Sequence, residues 1–293
     1  FVDIDPDTLN IDPDQVAEAA ERLAEGRGGK GTRRQGEGET RGRLKAILPV
    51  DAFGQPADYD PIREVADEYG LVIIEDSCEA IGAEYKGRKA GTLGDVGVFA
   101  FYPNKQMTTG EGGMIVTDRD DWAELFRSLR NQGRDGSNTW LNHVRLGYNY
   151  RMDEMSAALG LSQIERIDDL LAQRTQVTRW YDQRLADVEG VETPYVAPAT
   201  TRMSWFVYVI RITAKVGRDR VMEVLREQGI PSRPYFTPIH LQPFYVDRFG
   251  YREGDFPVTE EAGNKCLALP FSSVMTEEQV DVVCDALRAA LRE

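Results

Sequence analysis

The chain has 293 residues, a hydrophobic fraction of 41% and a formal charge of −14. That length holds one large domain or two ordinary ones with a sizeable core. Such an acidic balance argues against nucleic acid and anionic membrane as partners, so an anionic substrate needs a local basic pocket.

Residues 13–25 carry Val16, Ala19, Ala20 and Leu23 at helical spacing. The stretch 26–43 is rich in glycine and basic residues, lacks any large apolar side chain, and reads as a flexible, solvated insertion. KAILPV at 45–50 predicts a strand, and Asp60 and Pro61 read as the N-cap and first residue of a helix. Ile62, Val65, Ala66 and Tyr69 line one face of that helix, Gly70 ends it, and Leu71 to Glu75 form the next strand. The resulting βαβ unit implies parallel strands. Their continuous apolar character predicts helices over both faces of the sheet, with ligands bound beyond the carboxyl ends of the strands.

Strands at 96–101 and 113–117 flank a loop at 102–112, followed by a helix near 120–131 with Trp122, Leu125, Phe126 and Leu129 facing inward. A single long helix is expected over 153–187. After Pro194 and Pro198 the texture changes. Trp205 to Ile212 alternates like an antiparallel strand, and 217–228 and 276–291 read as helices. The expected fold class is α/β: a major domain at 1–174 with a mostly parallel sheet, and a smaller α+β domain at 175–293.

Cys78, Cys266 and Cys284 are too few and too scattered for a disulfide framework or a zinc site, which points to a reducing, cytoplasmic setting. No run approaches a membrane span, and the acidic opening FVDIDPDTLN has no signal-peptide pattern. It also lacks a starting Met, as a fragment of a longer protein would.

The chemistry concentrates around GDVGVFAFYPNKQMTTGEGG at 94–113. Lys105 sits between an apolar strand and a glycine-rich turn whose backbone can approach a ligand closely. Partial burial makes such an amine a usable nucleophile. Upstream, LVIIEDSCEA ends a strand in Glu75 and Asp76, which must point to opposite sides. An amine for covalent attachment and a carboxylate for a ring nitrogen are what pyridoxal phosphate requires, and Asp76 is assigned the second task.

These residues resemble the DegT/DnrJ/EryC1/StrS sugar aminotransferases, fold-type-I enzymes dependent on pyridoxal 5′-phosphate. The matching pieces are FVDID at 1–5, PVDAFGQPADYD at 49–60, the block EDSCEAIGAEYKGRKAGTLGDVGVFAFYPNKQMTTGEGGMIVT at 75–117, and LGYNYRMDEMSAALGLSQIERID at 146–168. RPYFTPIHLQPFY at 233–245 and ALPFSSVMTEEQ at 268–279 also match. The resemblance implies a three-layer major domain, Lys105 as the Schiff-base lysine and Asp76 as partner of the pyridine nitrogen. It also implies that Glu79 stands near the cofactor phenolate, where many relatives carry Gln or His, and that Asn149 reaches the cofactor phosphate of a neighbouring subunit in a homodimer. Asp51, Arg151, Tyr235 and His240 are expected on the substrate side. Ala100 stands where relatives often have a phosphate-binding Ser. The family's leading segment, with its phosphate-binding turn and ring-stacking aromatic, would precede FVDID; the sequence opens at that motif.

The implied activity moves an amino group from an amino acid, L-glutamate by expectation, to a nucleotide-linked keto-sugar in aminosugar or polysaccharide biosynthesis. Another cyclic ketone of the inosose type, or a truncated non-catalytic member of the fold, are the alternatives. No metal site is expected.

Overall fold

The computed structural model describes residues 1–25, 43–135 and 142–292. The expected insertion at 26–43 therefore lies, apart from Arg43, outside the described residues.

The described elements run α1 (Pro13–Ala24), β1 (Ala46–Ile47), α2 (Tyr59–Tyr69), β2 (Val72–Asp76), β3 (Glu84–Tyr85), β4 (Arg88–Lys89), β5 (Val96–Ala100) and β6 (Gly113–Val116). They continue with α3 (Asp120–Arg130), α4 (Glu154–Ile164), α5 (Ile167–Leu185), β7 (Val191–Glu192), β8 (Thr200–Arg202), β9 (Tyr208–Ile212) and α6 (Arg218–Glu227). Last come β10 (Arg233–Pro234), α7 (Pro243–Phe249), α8 (Pro257–Lys265), β11 (Cys266–Leu269) and α9 (Glu277–Ala290).

The first sheet has the order β1–β2–β5–β6. β1, β2 and β5 are parallel, with Ile47 opposite Ile73 and Asp76 opposite Val98. β6 returns antiparallel at the edge. The α/β class and the βαβ unit β1–α2–β2 agree with expectation. Helix α2 packs on β1 and β2 and against α1, burying Ile62, Val65, Ala66 and Ile73 in one apolar core. Gly70 ends α2 in the left-handed conformation (φ 61°), which glycine adopts without steric cost.

Three details differ from the sequence reading. Helix α2 starts at Tyr59 with Asp58 as N-cap, two positions before the expected cap. Asp58 caps nothing with its side chain; it accepts from the Tyr85 hydroxyl at 2.5 Å. The long helix over 153–187 is two helices, parted at Glu165 and Arg166. The apolar spacing of Ile164, Ile167, Leu170 and Leu171 runs on through the break, so periodicity alone could not reveal it. The sheet is also not covered on both faces throughout. Met114 and Ile115 of β6 are about half exposed, α4 has no buried residue, and Leu125 of α3 is exposed.

The second sheet, β10–β11–β9–β7, is antiparallel throughout. Helices α5, α6 and α9 enclose its core, which includes Tyr181, Tyr208, Ile210, Leu225, Leu267 and Leu287. Tyr181 and Tyr208 stack at 4.7 Å, and their hydroxyls reach the Pro270 carbonyl and the Asp182 carboxylate. Thr276 and Gln279 form a reciprocal capping box that starts α9. The expected boundary at 174/175 falls within α5, whose Val177, Tyr181 and Leu185 belong to this second core. A small sheet β4–β3–β8 joins strands inserted in the first sheet's sequence, β3 and β4, to one inserted in the second's, β8.

Candidate active site

The parallel strands deliver two acidic residues to one place and aim them apart. Glu75 is fully buried and accepts from the amides of Gly91, Leu93 and Gly94, the last two at 2.8 and 3.0 Å. Asp76, the last residue of β2, is half-buried, and its Oδ1 accepts from the Cys78 amide at 3.1 Å. The alternation expected of a strand thus sends Glu75 into the 91–94 loop and Asp76 to the other side.

Lys105 follows β5, its amide bonded to the Tyr102 carbonyl at 3.0 Å. Its side chain is only 14% exposed. The ammonium lies 3.2 Å from Glu79 Oε1 and 4.1 Å from the centre of the Phe206 ring, an ion pair and a cation–π contact together. The other Glu79 oxygen, Oε2, accepts from the Phe53 amide at 2.9 Å. Phe53 has a positive φ of 60°, uncommon for a bulky residue, and its ring meets Tyr235 at 5.7 Å. Burial and the nearby Glu79 charge raise the Tyr235 hydroxyl above its usual range. Cys78 sits among these groups. Burial first, then its hydrogen bond to Asp76, push the thiol up to about 12, while Lys105 pulls the other way. Asp76, Lys105 and Glu79 therefore all act on one half-buried sulfur.

Of the residues singled out in the sequence, Lys105, Glu79, Asp76 and Tyr235 are gathered around this spot. Asn149 and Arg151 lie on the exposed stretch before α4. Asn149 bridges Asn131 through the backbone, and the Arg151 guanidinium donates to Asn131 Oδ1 at 2.8 Å.

Two expectations are corrected. Asp51 is fully buried rather than facing a substrate: Oδ1 accepts from Ala57 N at 3.0 Å and the Tyr59 hydroxyl at 2.9 Å, and Oδ2 lies 2.7 Å from Ser77 Oγ. Burial, with the Glu75 charge second, pushes its carboxyl up to about 8. His240 is buried as well. Nε2 lies 2.9 Å from Glu260 Oε1, and the ring packs edge-on against Phe256 at 4.7 Å. Both side chains are bonded to other side chains inside the fold.

The sequence reading missed Phe53, Phe206, Gln106 and Ser204. Gln106 is the polar residue beside Lys105, a position that could have drawn notice; nothing in the sequence marks Phe206.

A largely buried amine after one strand of the parallel sheet and a carboxylate at the tip of its neighbour are the groups that a pyridoxal phosphate enzyme requires. The comparisons agree. The family model for DegT/DnrJ/EryC1/StrS aminotransferases matches residues 1–288, and the chain belongs to that family. The family's enzymes depend on pyridoxal phosphate. The GDP-perosamine synthase of Caulobacter vibrioides is 43% identical over 252 residues, 85% of this chain and 67% of that protein. The spore coat polysaccharide biosynthesis protein SpsC of Bacillus subtilis is 34% identical over 98% of this chain and 72% of its own length. Among solved structures, a family aminotransferase from Brucella abortus superposes with a TM-score of 0.85 at 32% identity, covering 99% of this chain and 72% of that one. DesI, solved in the presence of its TDP-sugar product, gives 0.82 at 32% identity, covering 99% and 68%.

The residues fit the cofactor. Beyond its bonds to the Cys78 amide and thiol, the half-buried Asp76 carboxylate has further lone pairs to accept a ring N–H. Lys105 supplies an amine held out of bulk water. Among the described residues no helix is long and apolar enough to cross a membrane, and no cluster of potential metal ligands occurs.

Proposed function

We propose that this protein transfers an amino group from an amino acid, L-glutamate first, to a nucleotide-linked keto-sugar. The observation that carries the reading is the Lys105 amine, 14% exposed, 3.2 Å from a carboxylate and beside the strand tip that bears Asp76. GDP-perosamine synthase and the TDP-sugar-bound DesI support the substrate class.

Lys105 would hold the cofactor covalently, Asp76 would bind its ring nitrogen, and Asn149 from a second subunit would reach its phosphate. Bound there, pyridoxal phosphate supplies an electron sink for the carbanion formed at the donor's α-carbon. Lys105 Nζ must shed a proton before it can act as a nucleophile, and Glu79 Oε1 is the acceptor at hand. Lys105 Nζ would also be the group that carries a proton to and from the reacting carbon. Phe206 covers one side of Nζ and limits the approach of water. Exposed apolar residues on β6 and α4, among them Met114, Ile115, Met155 and Leu161, suit a homodimer contact that brings Asn149 to its task.

The test adds pyridoxal phosphate, reduces with borohydride and maps the labelled peptide. Label is expected on Lys105 and absent in Lys105→Ala. A nucleotide-keto-sugar panel with L-glutamate, read by 2-oxoglutarate release, then tests the substrate class. Cofactor fixed elsewhere, or nowhere, would overturn the reading.

A further inference from the structure

Gln106 is buried, 4% exposed, next to the residue that carries the chemistry. Its amide nitrogen donates to the Glu79 carbonyl, and it lies 3.0 Å from the Ser204 carbonyl and 2.9 Å from Ser204 Oγ. Ser204 Oγ in turn donates to the Ile81 carbonyl at 2.7 Å. The other end of the same amide, Gln106 Oε1, is buried without a partner. A buried carbonyl oxygen without a donor costs roughly 1–3 kcal/mol, and a leucine or methionine would fill the same space without it. A purely space-filling role therefore does not account for the residue.

Its partners do. One amide ties together the turn that carries Glu79 and the segment that carries Phe206, and these are the two groups flanking the Lys105 ammonium. The 204–206 segment is fixed from other directions as well. Ser204 N donates to the Gly54 carbonyl at 3.0 Å and Phe206 N to the Phe53 carbonyl at 3.2 Å. Arg174 Nη1 donates to the Trp205 and Phe206 carbonyls at 3.3 and 3.0 Å. Gln106 is the link from this framework to the lysine loop itself.

We infer that Gln106, through Ser204, is a positioning residue: it holds the Lys105 amine between the Glu79 carboxylate and the Phe206 ring, and so aims it for covalent capture of an aldehyde. This inference rests on the reading of Lys105 given above.

The experiment compares wild type, Gln106→Leu, Ser204→Ala and the double variant. Three quantities are read: thermal midpoint of the apoprotein, rate of pyridoxal phosphate capture at Lys105 by borohydride trapping and peptide mapping, and visible circular dichroism of the bound cofactor. In Gln106→Leu, capture is expected to slow about tenfold, which corresponds to roughly 1.4 kcal/mol, and the dichroic band to weaken. The thermal midpoint should stay close to wild type. Ser204→Ala should slow capture about threefold, and the double variant should be no slower than Gln106→Leu, because both act along one path. Wild-type capture and an unchanged band in Gln106→Leu overturn the inference. If that variant does not fold, Ser204→Ala decides: slowed capture supports the inference and a wild-type rate overturns it. Absence of label on Lys105 in the wild type would instead reject the functional reading.

Discussion

Asp51 offers a quantitative test of the buried acid cluster beneath the site. Ser77 Oγ carries one hydrogen yet lies 2.7 Å from Asp51 Oδ2 and 2.9 Å from Glu75 Oε1. Only one of those contacts can be donated by the hydroxyl, so the other needs a proton on a carboxyl group. Glu75 already takes three amide donors, which places that proton on Asp51. The Asp51 carboxyl, raised to about 8 by burial and then by the Glu75 charge, keeps its proton in the fold at pH 7, whereas in the unfolded chain it loses it near 3.8. Between those two values the folded state binds more protons, so stability falls as pH rises. At 1.36 kcal/mol per pKa unit, Asp51 removes roughly 4 kcal/mol between pH 5 and pH 8. Asp51→Asn is nearly isosteric. Its carbonyl can accept from Ala57 and Tyr59, and its amide can donate to Ser77 with no proton to lose. Urea unfolding of both proteins at each pH unit from 5 to 8 isolates the Asp51 cluster, because the titrations of groups remote from it cancel in the difference. The variant should gain on wild type steadily as pH rises, by roughly 4 kcal/mol over the range. Parallel stability curves would refute the proton assignment.

Glu79→Leu strands the Lys105 ammonium and the Phe53 amide together, so urea unfolding of the apoprotein should register a loss of about 3 kcal/mol; an unchanged midpoint would mean the pair contributes nothing. Gly54 has φ +96°, and a β-carbon there would lie 1.6 Å from the Ser204 carbonyl oxygen, so Gly54→Ala should cost several kcal/mol or yield aggregated protein, as read by solubility and melting. His240→Ala should lower stability by about 2–3 kcal/mol without altering cofactor capture at Lys105; the reverse pattern would return His240 to the substrate side. Burial raises the thiols of Cys78, Cys266 and Cys284, the first to about 12, so a thiol reagent at pH 8 should react slowly with native protein and rapidly in denaturant.

The parallel sheet and the lysine loop were readable because their signals are local. Apolar strands, Gly70 and the glycines after Lys105 each impose a backbone constraint that the linear pattern carries. Directions of side chains beyond a strand end are not local. Asp51 follows a strand just as Asp76 ends one, yet it turns inward because Ala57 and Tyr59 from one segment and Ser77 from another converge on it. His240 is held by Glu260, twenty positions on. The partners of Gln106 lie up to 98 positions away, at Ser204, so an adjacent residue with a plain local reading took its meaning from the other half of the chain.

The residues between β8 and β9 carry a mechanical consequence. The chain runs from β8 into β9, a central strand of the C-terminal sheet, through a stretch clasped by a glycine carbonyl, a phenylalanine carbonyl, a glutamine and an arginine at once. A crossing clasped in that way behaves as a weld. Any relative swing of the two sheets must take its bend from another part of the chain, and a swing that forced this joint would drag the reactive lysine out of register with its neighbours.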